Sequence, residues 1–188
     1  MGRGDMLKKL AVLFLIILVC AGCAKNDPLG NLPDKYSGDI TCTAAVCALS
    51  EPACEYTLSF ARKDGTDTIE VLAPESVAGI TATVEQGSAG VSYEGKYLDT
   101  LLPYYWGASP IDALSALFDA VKDLTPVWYD LSDKTLTAEY LSSYDNAEIR
   151  HKLTFDRETL AIKSAEAELD GTLIMIIEVQ SLQLYENN

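Results

Sequence analysis

The sequence predicts an α+β domain, mainly β, built from an antiparallel sheet with one wet face and a single principal helix. Period-two alternation of apolar and polar residues recurs in short segments between Ile40 and Leu184. Turn compositions separate these segments: Lys63-Asp64-Gly65-Thr66, Tyr144-Asp145-Asn146, Arg157-Glu158-Thr159 and Asp170-Gly171. One stretch near the middle of the chain keeps helical spacing instead.

In chain order, Ile40, Cys42, Ala44 and Val46 alternate with Thr41, Thr43, Ala45 and Cys47. Tyr56, Leu58 and Phe60 alternate with Thr57, Ser59 and Ala61, and Ile69, Val71 and Ala73 follow the Asp64-Gly65 turn. Two alternating runs around an Asp-Gly pair predict a hairpin, which Pro74 ends because proline cannot donate to a ladder. A second hairpin is predicted from Ile80–Val84 and Val91–Tyr93 around Gln86–Gly90. Ser109-Pro110-Ile111-Asp112 reads as a helix start, with Ser109 as N-cap and Pro110 in the first turn. Ile111, Leu114, Leu117, Phe118, Val121 and Leu124 carry the apolar stripe and Pro126 stops it, so the helix spans about 110–124. Strands are predicted over Leu136–Leu141, Ile149–Phe155, Leu160–Leu169 and Thr172–Leu184. Leu173–Ile177 is apolar at every position, which predicts a strand covered on both faces.

Composition narrows the function classes. The chain of 188 residues has 28 acidic and 14 basic side chains, a net charge of −14, which argues against nucleic-acid binding because phosphates need cations opposite them. At 48% hydrophobic content it is too apolar for a disordered acidic segment. His151 is the only histidine, so multi-histidine metal centres are excluded and a histidine-activated nucleophile has one candidate base.

Arg3, Lys8 and Lys9 precede the apolar run Leu10–Val19, which is short for a membrane span and suits a secretory targeting segment. The run ends in Cys20-Ala21-Gly22-Cys23, which resembles the lipobox of bacterial lipoproteins, with Cys20 where Leu or Val is usual. The resemblance implies diacylglyceryl transfer to Cys23, cleavage after Gly22 and further acylation, and two or more acyl chains anchor stably. Residues 1–22 then form the signal peptide, 23–35 a tether rich in Asn, Pro and Gly, and 36–188 a single domain. Loss of Arg3, Asp5, Lys8 and Lys9 leaves 11 basic and 27 acidic groups, net −16, so lipid rather than charge would hold the domain at an anionic membrane.

The order of strands, one central helix and a closing run of hairpins resembles the lipoprotein-carrier (LolA/LolB-like) superfamily. Ala73-Pro74-Glu75-Ser76-Val77-Ala78-Gly79-Ile80, Val91-Ser92-Tyr93-Glu94-Gly95 and Leu153-Thr154-Phe155-Asp156 look closer to spore-germination lipoproteins of Gram-positive bacteria. Unlike the usual carrier, no long helix opens the domain. The resemblance implies a strongly curved half-barrel with the helix on its concave side and an apolar groove for acyl chains or a partner segment. Groove candidates are the inward-phase residues Tyr56, Leu58, Phe60, Ile69, Val71, Met175 and Ile177.

Other features read more plainly. His151 lies in phase with Ile149, Leu153 and Phe155, which suits a core or cavity-edge histidine better than a general base, since no nucleophile elbow accompanies it. Cys47 and Cys54 flank the first inferred hairpin loop, and a bulge would allow a disulfide between them. Without one, Cys42 and Cys54 share the inward face. Three cysteines at these spacings do not make a metal site. Tyr104-Tyr105-Trp106 and Trp128-Tyr129 bracket the helix and read as packing at the helix–sheet junction. The carboxylates, Asp64/Asp67 and Asp130/Asp133 among them, read as solvated surface.

The expectation is a non-enzymatic bacterial lipoprotein without cofactor, anchored through Cys23 outside the cytoplasm, binding a lipid, an acyl chain or an envelope protein in a curved sheet. The alternative is a scaffold for a cell-envelope, sporulation or germination protein that takes no small ligand.

Overall fold

Eleven strands form one sheet in the computed structural model, which describes residues 29–85, 88–101, 106–144 and 146–185. In chain order they are β1 (Ile40–Ala48), β2 (Cys54–Lys63), β3 (Thr66–Ala73), β4 (Thr81–Glu85), β5 (Ser88–Tyr93), β6 (Lys96–Leu101), β7 (Trp128–Leu131), β8 (Thr135–Tyr144), β9 (Ala147–Asp156), β10 (Ile162–Leu169) and β11 (Thr172–Leu184). Two helices accompany them among the described residues, α1 (Leu32–Lys35) ahead of β1 and α2 (Ala113–Asp123) between β6 and β7. The lateral order is β6-β5-β4-β3-β2-β1-β11-β10-β9-β8-β7, antiparallel throughout. Each neighbouring pair is consecutive in the chain except the central one, where β1 meets β11. The connection between edge strands β6 and β7 carries α2 across one face.

The sheet is curved and unclosed, as expected. Register shifts leave Leu72 of β3, Lys163 of β10, and Ile174 and Gln180 of β11 as extra residues against their neighbours, and such bulges bend strands and raise their twist. The concave face collects Ile40, Cys42, Ala44 and Val46 of β1, Leu58 and Phe60 of β2, Leu136, Ala138 and Tyr140 of β8, and Ile149, Leu153 and Phe155 of β9, all buried. Against them lies α2, whose Leu114, Leu117, Phe118 and Val121 are fully enclosed. The Phe118 ring sits 4.9 Å from Phe60 and 6.0 Å from Tyr36, and Tyr36 meets Phe155 edge-on at 6.4 Å.

The helix starts later than its sequence signals suggest. Ser109 is not its cap: the Ser109 N–H and Oγ–H donate to Asp112 Oδ1 at 3.0 and 2.9 Å, while the Asp112 N–H donates back to the Ser109 carbonyl. Residues 109–112 thus close a separate turn and the regular helix follows. Its end matches expectation, with Leu124 extended two residues before Pro126.

Strands β6 and β7 were not apparent from the sequence. The central hairpins were, with ends differing by a few residues. In β11, Met175 and Ile177 are buried but Ile174 and Ile176, on the opposite face, are only half-buried. The strand is therefore covered fully on one side, not both. The signal peptide, Cys23 and residues 24–28 lie outside the described residues, as do Tyr104 and Tyr105.

A compact unit runs from Leu32 onward, so it takes in the last residues of the expected tether. Leu32 in α1 is buried, and the Tyr36 hydroxyl donates to the Leu160 carbonyl at 2.8 Å and accepts from the Ile162 N–H at 3.1 Å. Burial raises the Tyr36 phenol well above its ordinary range, so it stays a neutral donor. Tyr36→Phe deletes both bonds and leaves the Ile162 N–H buried and unpaired. We expect a loss of about 1–3 kcal/mol, read as a lower urea midpoint at unchanged slope.

Candidate functional site

Between one end of the sheet and the segment before α2 the concave face opens into a cleft of about 270 Å³. Register builds its floor. Leu58 pairs with Val71, and Ile69 lies opposite both Phe60 and Ala82, so side chains from β2, β3 and β4 stand in adjacent rows on one face. Tyr56, Leu58, Ile69, Val71 and Ala82 line this floor. Val77 and Ile80 from the β3–β4 connection close one side, and Ser109, Pro110 and Ile111 the other. Among the lining residues the polar atoms are the Tyr56 and Ser109 hydroxyls and the backbone; none carries a charge.

The groove candidates divide in two. Tyr56, Leu58, Ile69 and Val71 meet in the cleft. Phe60 lies one step deeper along β2, buried against Phe118. Met175 and Ile177 share the inward phase but belong to β11, opposite Ala48 and Val46 on the other side of β1, where they are packed into the core. Val77, Ile80, Ala82 and Ser109–Ile111 were not among the candidates. Ala82 shares the alternation, whereas the others come from connections whose placement no local period encodes.

Beyond Phe60, β2 ends in a buried ion cluster. Arg62 lies opposite Asp67 across the Asp64-Gly65 turn and holds it through two bonds of 2.6 Å, from Nε and Nη2. The same Nη2 reaches Asp119 of α2 at 2.8 Å. The guanidinium carbon stands 5.9 Å from the centre of the Phe60 ring. Asp67 is thus not solvated surface but 4% exposed, because the hairpin register turns it to the concave face.

A second polar group surrounds the start of α2. Burial raises the Asp112 carboxyl above the usual range. Its Oδ2, Ser115 Oγ and His151 Nδ1 are buried without a hydrogen-bond partner. Gly107 brings the chain close: at φ +90° it occupies the left-handed region, and a Cβ there would stand 2.7 Å from Ala116 Cβ and 3.0 Å from His151 Cε1. Serine, histidine and aspartate are the residue types of nucleophilic catalysis, yet Asp112 and Ser115 are 0% exposed and His151 2%. Asp112 is engaged by Ser109, and the enclosed hydroxyl offers no route for a substrate. His151 is a core residue.

The described cysteines are free thiols. Cys47 pairs with Glu55 and Cys54 with Ala48, so the two are offset by one residue and point to opposite faces. Cys42 shares the face of Cys54 but pairs with Phe60, six residues along β2, and burial pushes its thiol up to about 12. Trp128 and Tyr129 do not pack at the helix–sheet junction. They are each 47% exposed on the edge strand β7, beside exposed Val127 and Leu131. Among the described residues no group of side chains has the arrangement of a metal site, and no helix is long and apolar enough to cross a membrane.

These features define a class: an open antiparallel half-barrel with a helix in its concavity and an apolar cleft beside the helix. No family model matches the sequence, and no curated protein matches it. Solved structures do. An uncharacterized conserved protein from Thermus thermophilus is similar with a TM-score of 0.51 at 11% identity, over 87% of this chain and 88% of that one. A LolA superfamily protein from Nitrosomonas europaea gives a TM-score of 0.49 at 8% identity, over 87% of this chain and 94% of that one. At these identities the likeness is one of fold.

Proposed function

We propose that the protein is a non-enzymatic lipoprotein of the bacterial envelope, anchored outside the cytoplasm through Cys23, which binds a lipid or acyl chain in the cleft of its curved sheet. The observation that carries the reading is the cleft itself: about 270 Å³ lined by aliphatic side chains with two hydroxyls. An apolar concavity with few polar groups is the usual form of a ligand site. The anchor rests on Cys20-Ala21-Gly22-Cys23 after the apolar run Leu10–Val19.

Two measurements test it. In cells fed an alkyne-tagged fatty acid, the chain takes up label and Cys23→Ala does not; equal labelling of both would remove Cys23 as the anchor. The second is solvent extraction of the purified chain followed by mass analysis. It should recover an apolar molecule that is absent from Val71→Trp, in which an indole occupies the cleft. Recovery of nothing from either would count against carriage.

The scaffold reading has its own support. Strand β7 lies at the edge of the described sheet and presents Trp128, Tyr129 and Leu131 to solvent beside exposed Val127, the profile of a strand that pairs with another chain. An envelope, sporulation or germination protein bound there would survive Val71→Trp and be lost on Tyr129→Pro.

A further inference from the structure

We propose that the cleft measures chain length: it takes one alkyl chain of about ten carbons under an uncharged head, and Phe60 is the stop. The inference rests on the ligand-binding reading and specifies its ligand.

The size argument comes first. An enclosed apolar cavity of about 150 Å³ accommodates one benzene, so 270 Å³ accommodates on the order of ten carbons. Depth is limited by the protein's own side chains. Along β2 the concave row runs Tyr56, Leu58, Phe60, Arg62. The first two line the cleft. Phe60 is 1% exposed with its ring 4.9 Å from that of Phe118, and behind it lies Arg62 with its two carboxylates. A chain entering past Leu58 meets packed rings and then charge, so a longer tail must leave its excess in water.

The head group follows from electrostatics. No Lys or Arg lines the cleft, and the whole chain carries 28 acids against 14 bases, so nothing offsets the cost of bringing an anionic head to the mouth. The Tyr56 hydroxyl is left to donate or accept, and Ser109 Oγ, whose proton goes to Asp112, is left to accept, which suits the hydroxyls of a neutral head of sugar or glyceride type.

The test is a calorimetric titration of the purified full chain, held in an amphipathic polymer, with octyl, decyl, dodecyl and tetradecyl maltoside below their micellar concentrations. Val71→Trp supplies the background from the rest of the chain. Cleft-specific affinity should rise about fourfold per added methylene up to decyl, the increment for burying apolar carbon, and then level off. Decanoate should bind at least threefold more weakly than decyl maltoside. Phe60→Ala should move the break to dodecyl or beyond, and Phe60→Leu, which keeps the core filled should the alanine variant not fold, should move it in the same direction by less.

The failures are separable. No difference between parent and Val71→Trp for any maltoside overturns the ligand-binding reading itself. Affinity that climbs through tetradecyl in the parent leaves that reading intact and overturns the ruler. A break that neither Phe60 variant moves removes Phe60 as the stop, and decanoate binding as tightly as decyl maltoside removes the neutral-head requirement.

Discussion

Arg62→Ala is expected to cost about 3–5 kcal/mol of folding stability, the loss that follows when one member of a buried charge group is removed. For a domain of this size that lowers the thermal midpoint by on the order of 10 °C. The reason is what the variant leaves behind. Asp67 is 4% exposed and its two oxygens have the guanidinium as partner at 2.6 Å each. Asp119 is a third exposed at the side chain and loses a contact of 2.8 Å. Burial already raises the Asp119 carboxyl, and Arg62 is the larger of the two cations that offset this. Without Arg62, Asp67 is left as a buried charge without its partner. The double variant Arg62→Met with Asp67→Leu removes both sides of that conflict and should recover most of the loss. Thermal unfolding followed by circular dichroism at neutral pH distinguishes the cases. A single-variant loss below about 1 kcal/mol would mean the pair behaves as a surface salt bridge, and the cluster would then not anchor α2 to β2.

That cluster also shows how far the sequence can be read. The Asp64-Gly65 turn predicts a hairpin, and a two-residue loop places Lys63 opposite Thr66 and Arg62 opposite Asp67, as the structure has it. Alternation then puts both on the inward face with Phe60 and Ile69. The signal was present, but charged residues default to solvent when the third partner, Asp119, lies more than fifty residues further on the helix. Elements whose period is written in their own residues were legible: the strands from β1 to β3, those from β8 to β11, and the body of α2. Strand β7 was not, because with one neighbour it buries neither face and shows no alternation. The cleft was half legible. Tyr56, Leu58, Ile69 and Val71 follow from phase alone, since they sit on one curled hairpin. Phase cannot say which in-phase residues the helix will cover, so it assigns Phe60 to the lining although Phe118 seals it, and adds Met175 and Ile177 from the far side of β1. The wall at Ser109–Ile111 comes from a segment whose position depends on where the chain crosses the sheet between its two edges.

Acid should weaken the fold through His151, and His151→Leu should abolish that part of the effect. The imidazole is enclosed among β8, β9 and the turn at Gly107, its Nδ1 without a partner. Burial lowers its pKa from 6.5 to about 4. Below pH 6.5 the unfolded chain takes the proton while the folded one refuses it until about pH 4, so stability is lost as pH falls through that window. By pH 5 the loss is about 2 kcal/mol, from about one and a half units at roughly 1.36 kcal/mol each. The neighbouring groups do not produce the same signature. Tyr140, opposite His151 on β8, is pushed up to about 12 by burial and stays neutral. Asp112 has the opposite sign: its carboxyl is raised by burial, so the folded state accepts that proton more readily and acidification relieves the cost of the buried charge. Urea unfolding of parent and His151→Leu at pH 7 and pH 5 separates these contributions, because every group but His151 cancels in the difference. The variant should match or exceed the parent at pH 7, having lost an unpaired polar atom, and its advantage should grow by about 2 kcal/mol at pH 5. Parallel pH profiles for the two proteins would place the imidazole in contact with water and remove it from the core.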